Sequence, residues 1–150
     1  MKILSWNSRG LGHPSKVSAL REIIHCEKLE ILLIQESKQD QQEMRGIIDQ
    51  QKQYKGSIIE SRGASRGIAT LWNHSKWNCT SEKLHQHWIR IVLENRIDNQ
   101  TTIIYNVYAP NHFREKECCW DDLKASIDGE INSNIIVGGD FNLILHANEK

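Results

Sequence analysis

Apolar and polar positions alternate with a period of two over Lys2 to Asn7, which predicts a strand. Val17, Leu20, Ile23 and Ile24 then recur at helical spacing across Ser15 to Lys28, with Ser15 in place to cap the helix. Glu30 to Gln35 is an apolar run of strand length. Asp40 to Gln51 predicts a polar helix with Met44, Ile47 and Ile48 on one stripe, and Tyr54 to Glu60 a further strand. From Gly67 the pattern changes: Ile68 to Trp72, Trp77 to Ser81, Trp88 to Glu94 and Thr101 to Tyr108 are strands separated by short polar turns such as Ile97-Asp98-Asn99-Gln100, the grammar of an antiparallel meander. A helix over about Glu115 to Ile127 precedes the β-branched run Asn134 to Gly139, which ends in two glycines and Asp140. Early βαβ steps, a meander and a final αβ step predict an α/β (α+β) chain, a mixed β-sheet with flanking helices.

Of the 150 residues 39% are hydrophobic and 25% charged, the balance of one soluble globular domain. Runs such as Ile31 to Ile34 and Ile135 to Val137 fall far short of the ~18 apolar residues of a membrane span, so no membrane partner is expected. The start of the chain is too short in apolar residues for a secretory signal. Nineteen basic residues balance nineteen acidic ones, which argues against a protein that holds nucleic acid by bulk charge alone. The middle of the chain is net basic, and there Trp72, Trp77 and Trp88 alternate with Arg66, Lys76, Lys83 and Arg90. Solvated strand faces are the plainer expectation, a stacking surface for nucleic acid the sharper one. Cys26, Cys79, Cys118 and Cys119 form no paired motif and fit a reducing, intracellular setting. His85 and His87, with Cys79 or His112, are a weak zinc set, and surface histidines are the better expectation.

Gly10-Leu11-Gly12 after the first strand, with Glu36 after the second, superficially matches a dinucleotide-binding turn, but Pro14 and the antiparallel run beyond residue 67 argue against it. A stronger signal is the set of polar residues at strand ends: Asn7, Glu36, Tyr108 and Asn111 around Pro110, and Asp140 with Asn142. Loops leaving one edge of a rigid sheet converge, and these groups together make a hard oxygen environment suited to Mg²⁺, with Mn²⁺ as its substitute. Taken singly, each has a plainer role: Asn7 as a strand end, Tyr108 as a cross-strand aromatic, Asp140 and Asn142 as an Asx-type turn.

Five segments, ILSWNSRGLG (3–12), LLIQESK (32–38), GIATLWN (67–73), NVYAPN (106–111) and VGGDFN (137–142), resemble in order and spacing the endonuclease/exonuclease/phosphatase family, specifically the apurinic-endonuclease-like domain of LINE-type (non-LTR) retrotransposons. Ser37 stands where that family commonly has threonine. Arg66 stands where it often has a second glycine, a change expected to touch no ligand. The resemblance implies a DNase I-like four-layer α/β sandwich, of which residues 1–150 would be about the first half, truncated after VGGDFN. Strands shaped to face an absent second sheet would then be exposed, with marginal solubility. It implies Mg²⁺-dependent phosphodiester hydrolysis on DNA, with a nuclear location. Glu36 and Asn7 would be metal-side residues, Asp140 the base, and Tyr108, Asn111 and Asn142 the donors to phosphate and leaving oxygen. The family's late Ser-Asp-His motif is not found, and His146 lies too close to Asp140 to supply it. Impaired or absent activity is therefore expected of this chain. A non-catalytic remnant and a phosphatase on the same scaffold are the alternatives.

Overall fold

A computed structural model describes residues 1–62, 66–131 and 133–143, and His146 lies outside them. Two four-stranded sheets face each other. The first, sheet A, contains β1 (Ile3–Asn7), β2 (Ile31–Gln35), β3 (Tyr54–Ile59) and β4 (Ile68–Asn73) in the order β1-β2-β4-β3. The second, sheet B, contains β5 (Trp77–His85), β6 (Trp88–Asn95), β7 (Thr101–Tyr108) and β8 (Asn134–Asp140) in that order. Helices α1 (Pro14–Glu27) and α2 (Gln41–Asp49) cover the outer face of sheet A, and α3 (Phe113–Asp128) covers that of sheet B.

The layers follow from the two-residue period of strands. Along β2, Leu32 and Ile34 turn to the helices while Ile31 and Leu33 enter the core between the sheets, so both faces of this strand are apolar. Along β7, Ile103, Tyr105 and Val107 meet α3, and Ile104 and Tyr108 enter the inter-sheet core. The expected mixed α/β class and DNase I-like sandwich are therefore present, with two mixed sheets and few flanking helices, as in part of such a domain. The meander forms a sheet of its own instead of extending the first one, so the expected exposure to a missing second sheet does not arise.

Local chemistry explains the smaller differences. His13, not Ser15, caps α1: Pro14 takes the first helical position and the His13 ring accepts from the Ser15 amide at 3.3 Å. Asp40 and Glu43 form a reciprocal capping box on α2. β5 runs on to His85 past an irregularity between Cys79 and Ser81. Its far half is an exposed polar edge strand, which carries no hydrophobic period to reveal it. Trp72, Trp77 and Trp88 are 6%, 4% and 1% exposed, so the expected stacking surface does not exist: the rings are core.

One polar network interrupts the inter-sheet core. The Asn106 amide, fully buried, donates to the Ala69 carbonyl at 2.9 Å and the Thr70 hydroxyl at 3.1 Å, and its oxygen accepts from Gln35 at 2.7 Å. These bonds tie sheet B to sheet A beside Glu36 and Tyr108.

Candidate active site

β1 and β2 are parallel, as are β7 and β8, so Asn7, Glu36, Tyr108 and Asp140 all sit at carboxyl ends of strands. β4 runs antiparallel to β2 with Ile68 opposite Gln35, which brings Arg66 to the same end. Backbone bonds lace three of the loops together. Gly10 donates to the Glu36 carbonyl at 2.6 Å, Leu11 to that of Ser37 at 2.8 Å, and Lys38 to that of Arg66 at 2.9 Å. Arg9, Glu36, Lys38 and Asn142 hold left-handed backbone conformations, with φ of 49, 51, 53 and 47°. Such conformations cost non-glycine residues of order 1 kcal/mol or more each and gather where surrounding structure imposes a geometry. Gly67 and Gly139 are required for packing as well as conformation. With φ of +79°, a Cβ on Gly67 would lie 2.3 Å from Ser37 Oγ; on Gly139 (φ +144°) it would lie 1.9 Å from the Val107 carbonyl oxygen.

Asn7 is the centre of the cluster. Its side-chain nitrogen donates to Glu36 Oε1 at 3.2 Å and to Asp140 Oδ2 at 2.5 Å, so one amide joins a carboxylate from each sheet. Its oxygen accepts from the Arg9 amide at 3.1 Å. Glu36, only 8% exposed, also accepts from the Tyr108 hydroxyl at 3.1 Å and from Arg66 at 3.3 Å. Burial pushes the Glu36 carboxyl up, but the bonds from Asn7, Tyr108 and Arg66 and the Arg66 charge outweigh it and hold the group below its ordinary value. Burial, then the Glu36 charge, push the Tyr108 phenol up, so it keeps its proton.

Asp140 Oδ1 accepts from the Asn142 amide at 3.0 Å, an Asx-type turn. The Asn142 side chain donates to the Ala109 carbonyl at 2.5 Å and so braces the Pro110 loop. Asn111 is exposed at the start of α3 and hydrogen-bonds to no member of the cluster. The structure thus joins Asn7, Glu36, Tyr108, Asp140 and Asn142 and leaves Asn111 at the rim. Arg66 corrects the sequence-based expectation, because it contacts the central carboxylate. Antiparallel pairing of β2 with β4 was the signal that could have placed it. Gly139, Asp140, Asn142, Asn7 and Gln35 line an open cavity of about 510 Å³ beside these groups.

Two carboxylates with amide and phenol neighbours form a hard donor set, and among the described residues no histidine or cysteine bonds to it. No third His, Cys, Asp or Glu joins them to make a larger metal cluster there. Mg²⁺ takes one or two protein carboxylates and keeps waters for its other positions, so the set fits that ion.

A mixed α/β sandwich with carboxylates joined across its two sheets at the strand ends is the class these features define. Residues 4–149 match the Endonuclease/Exonuclease/phosphatase family, and the chain belongs to it. No curated protein sequence matches the chain. The human Nocturnin catalytic domain, solved with a bound sulfate, is similar at 15% identity with a TM-score of 0.68, covering 95% of this chain and 64% of that one. The Xenopus laevis APE2 catalytic domain is similar at 18% identity and 0.68, covering 95% and 59%. A mannosyl-6-phosphatase of Bacteroides thetaiotaomicron is similar at 11% and 0.72, covering 97% and 67%. The chain spans about three fifths to two thirds of the length of these structures, and at such identities they share its fold.

Proposed function

We propose that the Asn7–Glu36–Asp140 cluster is the hydrolytic centre of a Mg²⁺-dependent phosphodiesterase that cuts DNA, of the retrotransposon endonuclease type. The observation that carries this reading is the single amide joining a carboxylate from each sheet, at the mouth of an open cavity. The loops that hold it also carry Arg9, Lys38 and Arg66, all exposed, which suits a polyanionic backbone. The LINE-like wording of the five motifs favours DNA over a small phosphate ester.

Glu36 would hold Mg²⁺ or Mn²⁺, joined by Asn7 if its amide turned to bring its oxygen, now held by the Arg9 amide, toward the carboxylates. When bound, the ion supplies Lewis-acid polarisation of a phosphoryl oxygen. Asp140 orients a water and takes its proton. Tyr108, kept protonated by its surroundings, donates to charge that develops on the departing oxygen. Asn142 has a second amide hydrogen and Asn111 a free amide at the rim, both suited to non-bridging oxygens. Arg66, now paired with Glu36 at 3.3 Å, would be available to a phosphate if Glu36 held the ion. Removing one such preorganised donor typically costs about 100-fold to 1,000-fold in rate.

Because no histidine bonds to the cluster among the described residues, the test supplies the family's Ser-Asp-His element by fusing the carboxy-terminal part of a family member after Lys150. The unfused chain should nick supercoiled plasmid at background level with Mg²⁺, and the fusion well above it. Glu36→Gln and Asp140→Asn should each lower the fusion's rate by at least about 100-fold, and His85→Ala should leave it unchanged. Preference for a phosphate monoester over plasmid would replace DNA with a phosphatase substrate. Activity indifferent to Glu36 and Asp140 would overturn the site.

A further inference from the structure

The opposite end of sheet A holds a second cavity, of about 640 Å³, between the last turns of α1 and α2, the start of β3 and the turn after β4. Arg21, His25, Lys28, Lys52 and Lys76 line it, and no carboxylate does. Glu27 is paired with Lys2, and Glu30 with the lining residue Lys76 and with Trp77, so Lys76 is already neutralised. Arg21, Lys28 and Lys52 form no ion pair among the described residues. Attraction of cations to helix carboxyl ends accounts for His25, which lies in the last turn of α1. It does not account for Lys52, which follows α2 in a turn, or for Arg21, which lies a full turn or more inside α1.

Gln51 gives an independent sign. Its side-chain nitrogen is buried, has no protein hydrogen-bond partner among the described residues, and belongs to a residue lining this same cavity. A buried donor left unpaired costs about 1–3 kcal/mol, which an acceptor on a ligand removes. Ile24, Leu29 and Tyr54 add buried apolar surface to the lining, and the Tyr54 hydroxyl is already committed to the Leu29 carbonyl at 2.5 Å.

We propose that this cavity binds a small phosphate-bearing molecule the size of a nucleoside monophosphate. The phosphate meets Arg21, Lys28 and Lys52, the Gln51 amide turns out of its buried position to reach it, and the flat or apolar remainder lies against Ile24 and Tyr54. The volume falls in the range of about 300–1,000 Å³ usual for small-molecule sites. The cations gather around a concavity instead of forming a stripe, which favours a compact anion over a duplex. This site is separate from the hydrolytic cluster, which lies at the other strand ends.

Calorimetric titration of the chain with AMP, adenosine and a short DNA duplex tests this. AMP should bind at one site, at least tenfold more tightly than adenosine or than the duplex to that site. Lys28→Glu combined with Lys52→Glu should weaken AMP at least tenfold, and Lys124→Glu, on the exposed face of α3, should not. Circular dichroism of the unliganded variants reports folding. If the double variant fails to fold, Gln51→Leu serves, since it should weaken AMP while raising the unliganded melting temperature. No AMP binding at millimolar concentration, equal affinity for adenosine, indifference to the variants, or tighter Lys28/Lys52-dependent binding of the duplex would each overturn the proposal.

Discussion

Asn7 shows how much a single side chain can organise. As a strand end it was legible in the sequence, but its role as a two-way donor was not, because that depends on Asp140 arriving 133 positions later from the other sheet. Glu36 carries the pH consequence. Its folded-state pKa lies below the ordinary 4.5, so the stability it contributes is fully present above about that pH and is lost as pH falls through the lower folded-state value. Melting temperature should therefore fall below pH 4.5 more steeply in the parent chain than in Glu36→Gln. Arg66→Ala should be intermediate, since it removes one of the groups that hold the carboxyl down. Gly139 is a second single-residue dependence. A methyl there would enter the Val107 backbone, so Gly139→Ala should destabilise by more than about 2 kcal/mol in urea unfolding and displace Asp140.

At the scale of elements, the site exists because strand directions send five loops to one end. Periodicity located nearly every strand, and the parallel β1–β2 step was expected from the helix between them. Two features escaped that reasoning. The far half of β5 has no apolar alternation, and the split into two sheets depends on β4 closing onto β2 and β3 while β5 pairs only with β6. Arg66 was missed for the same reason: its place beside Glu36 is a matter of pairing, not of spacing. The Gln35–Asn106 bridge is the element-scale support of the site. Asn106→Leu removes one acceptor of the buried Gln35 amide and the side-chain donor to the Ala69 carbonyl and the Thr70 hydroxyl, and should cost about 2–3 kcal/mol in equilibrium unfolding. Its amide signals at Glu36 and Tyr108 should shift although neither residue is changed.

For the molecule as a whole, the four layers matter because Glu36 belongs to one sheet and Asp140 to the other. Anything that loosens the core between the sheets separates the two carboxylates. Leu33, 1% exposed, packs in that core, and a Cβ on Gly138 of β8 would lie 2.8 Å from it. Leu33→Ala should cost about 2–5 kcal/mol and weaken metal binding as well. The family resemblance was readable from five short motifs because each couples a strand to the loop at the site's end of it. The division into two facing sheets was not readable, since an antiparallel meander looks alike whether it extends a sheet or starts one.

As proposed above, Asn7, Glu36 and Asp140 form a divalent-metal site. Paramagnetic broadening by Mn²⁺ in a ¹⁵N-resolved spectrum of the chain tests it directly. The amide signals of Asn7, Ser8, Glu36, Ser37, Asp140 and Phe141 should broaden first, Mg²⁺ should reverse the effect by competition, and Glu36→Gln should weaken it at least tenfold. Broadening centred instead on His85 and Asp122, whose side chains lie 3.4 Å apart beside α3, or unchanged in Glu36→Gln, would contradict this assignment.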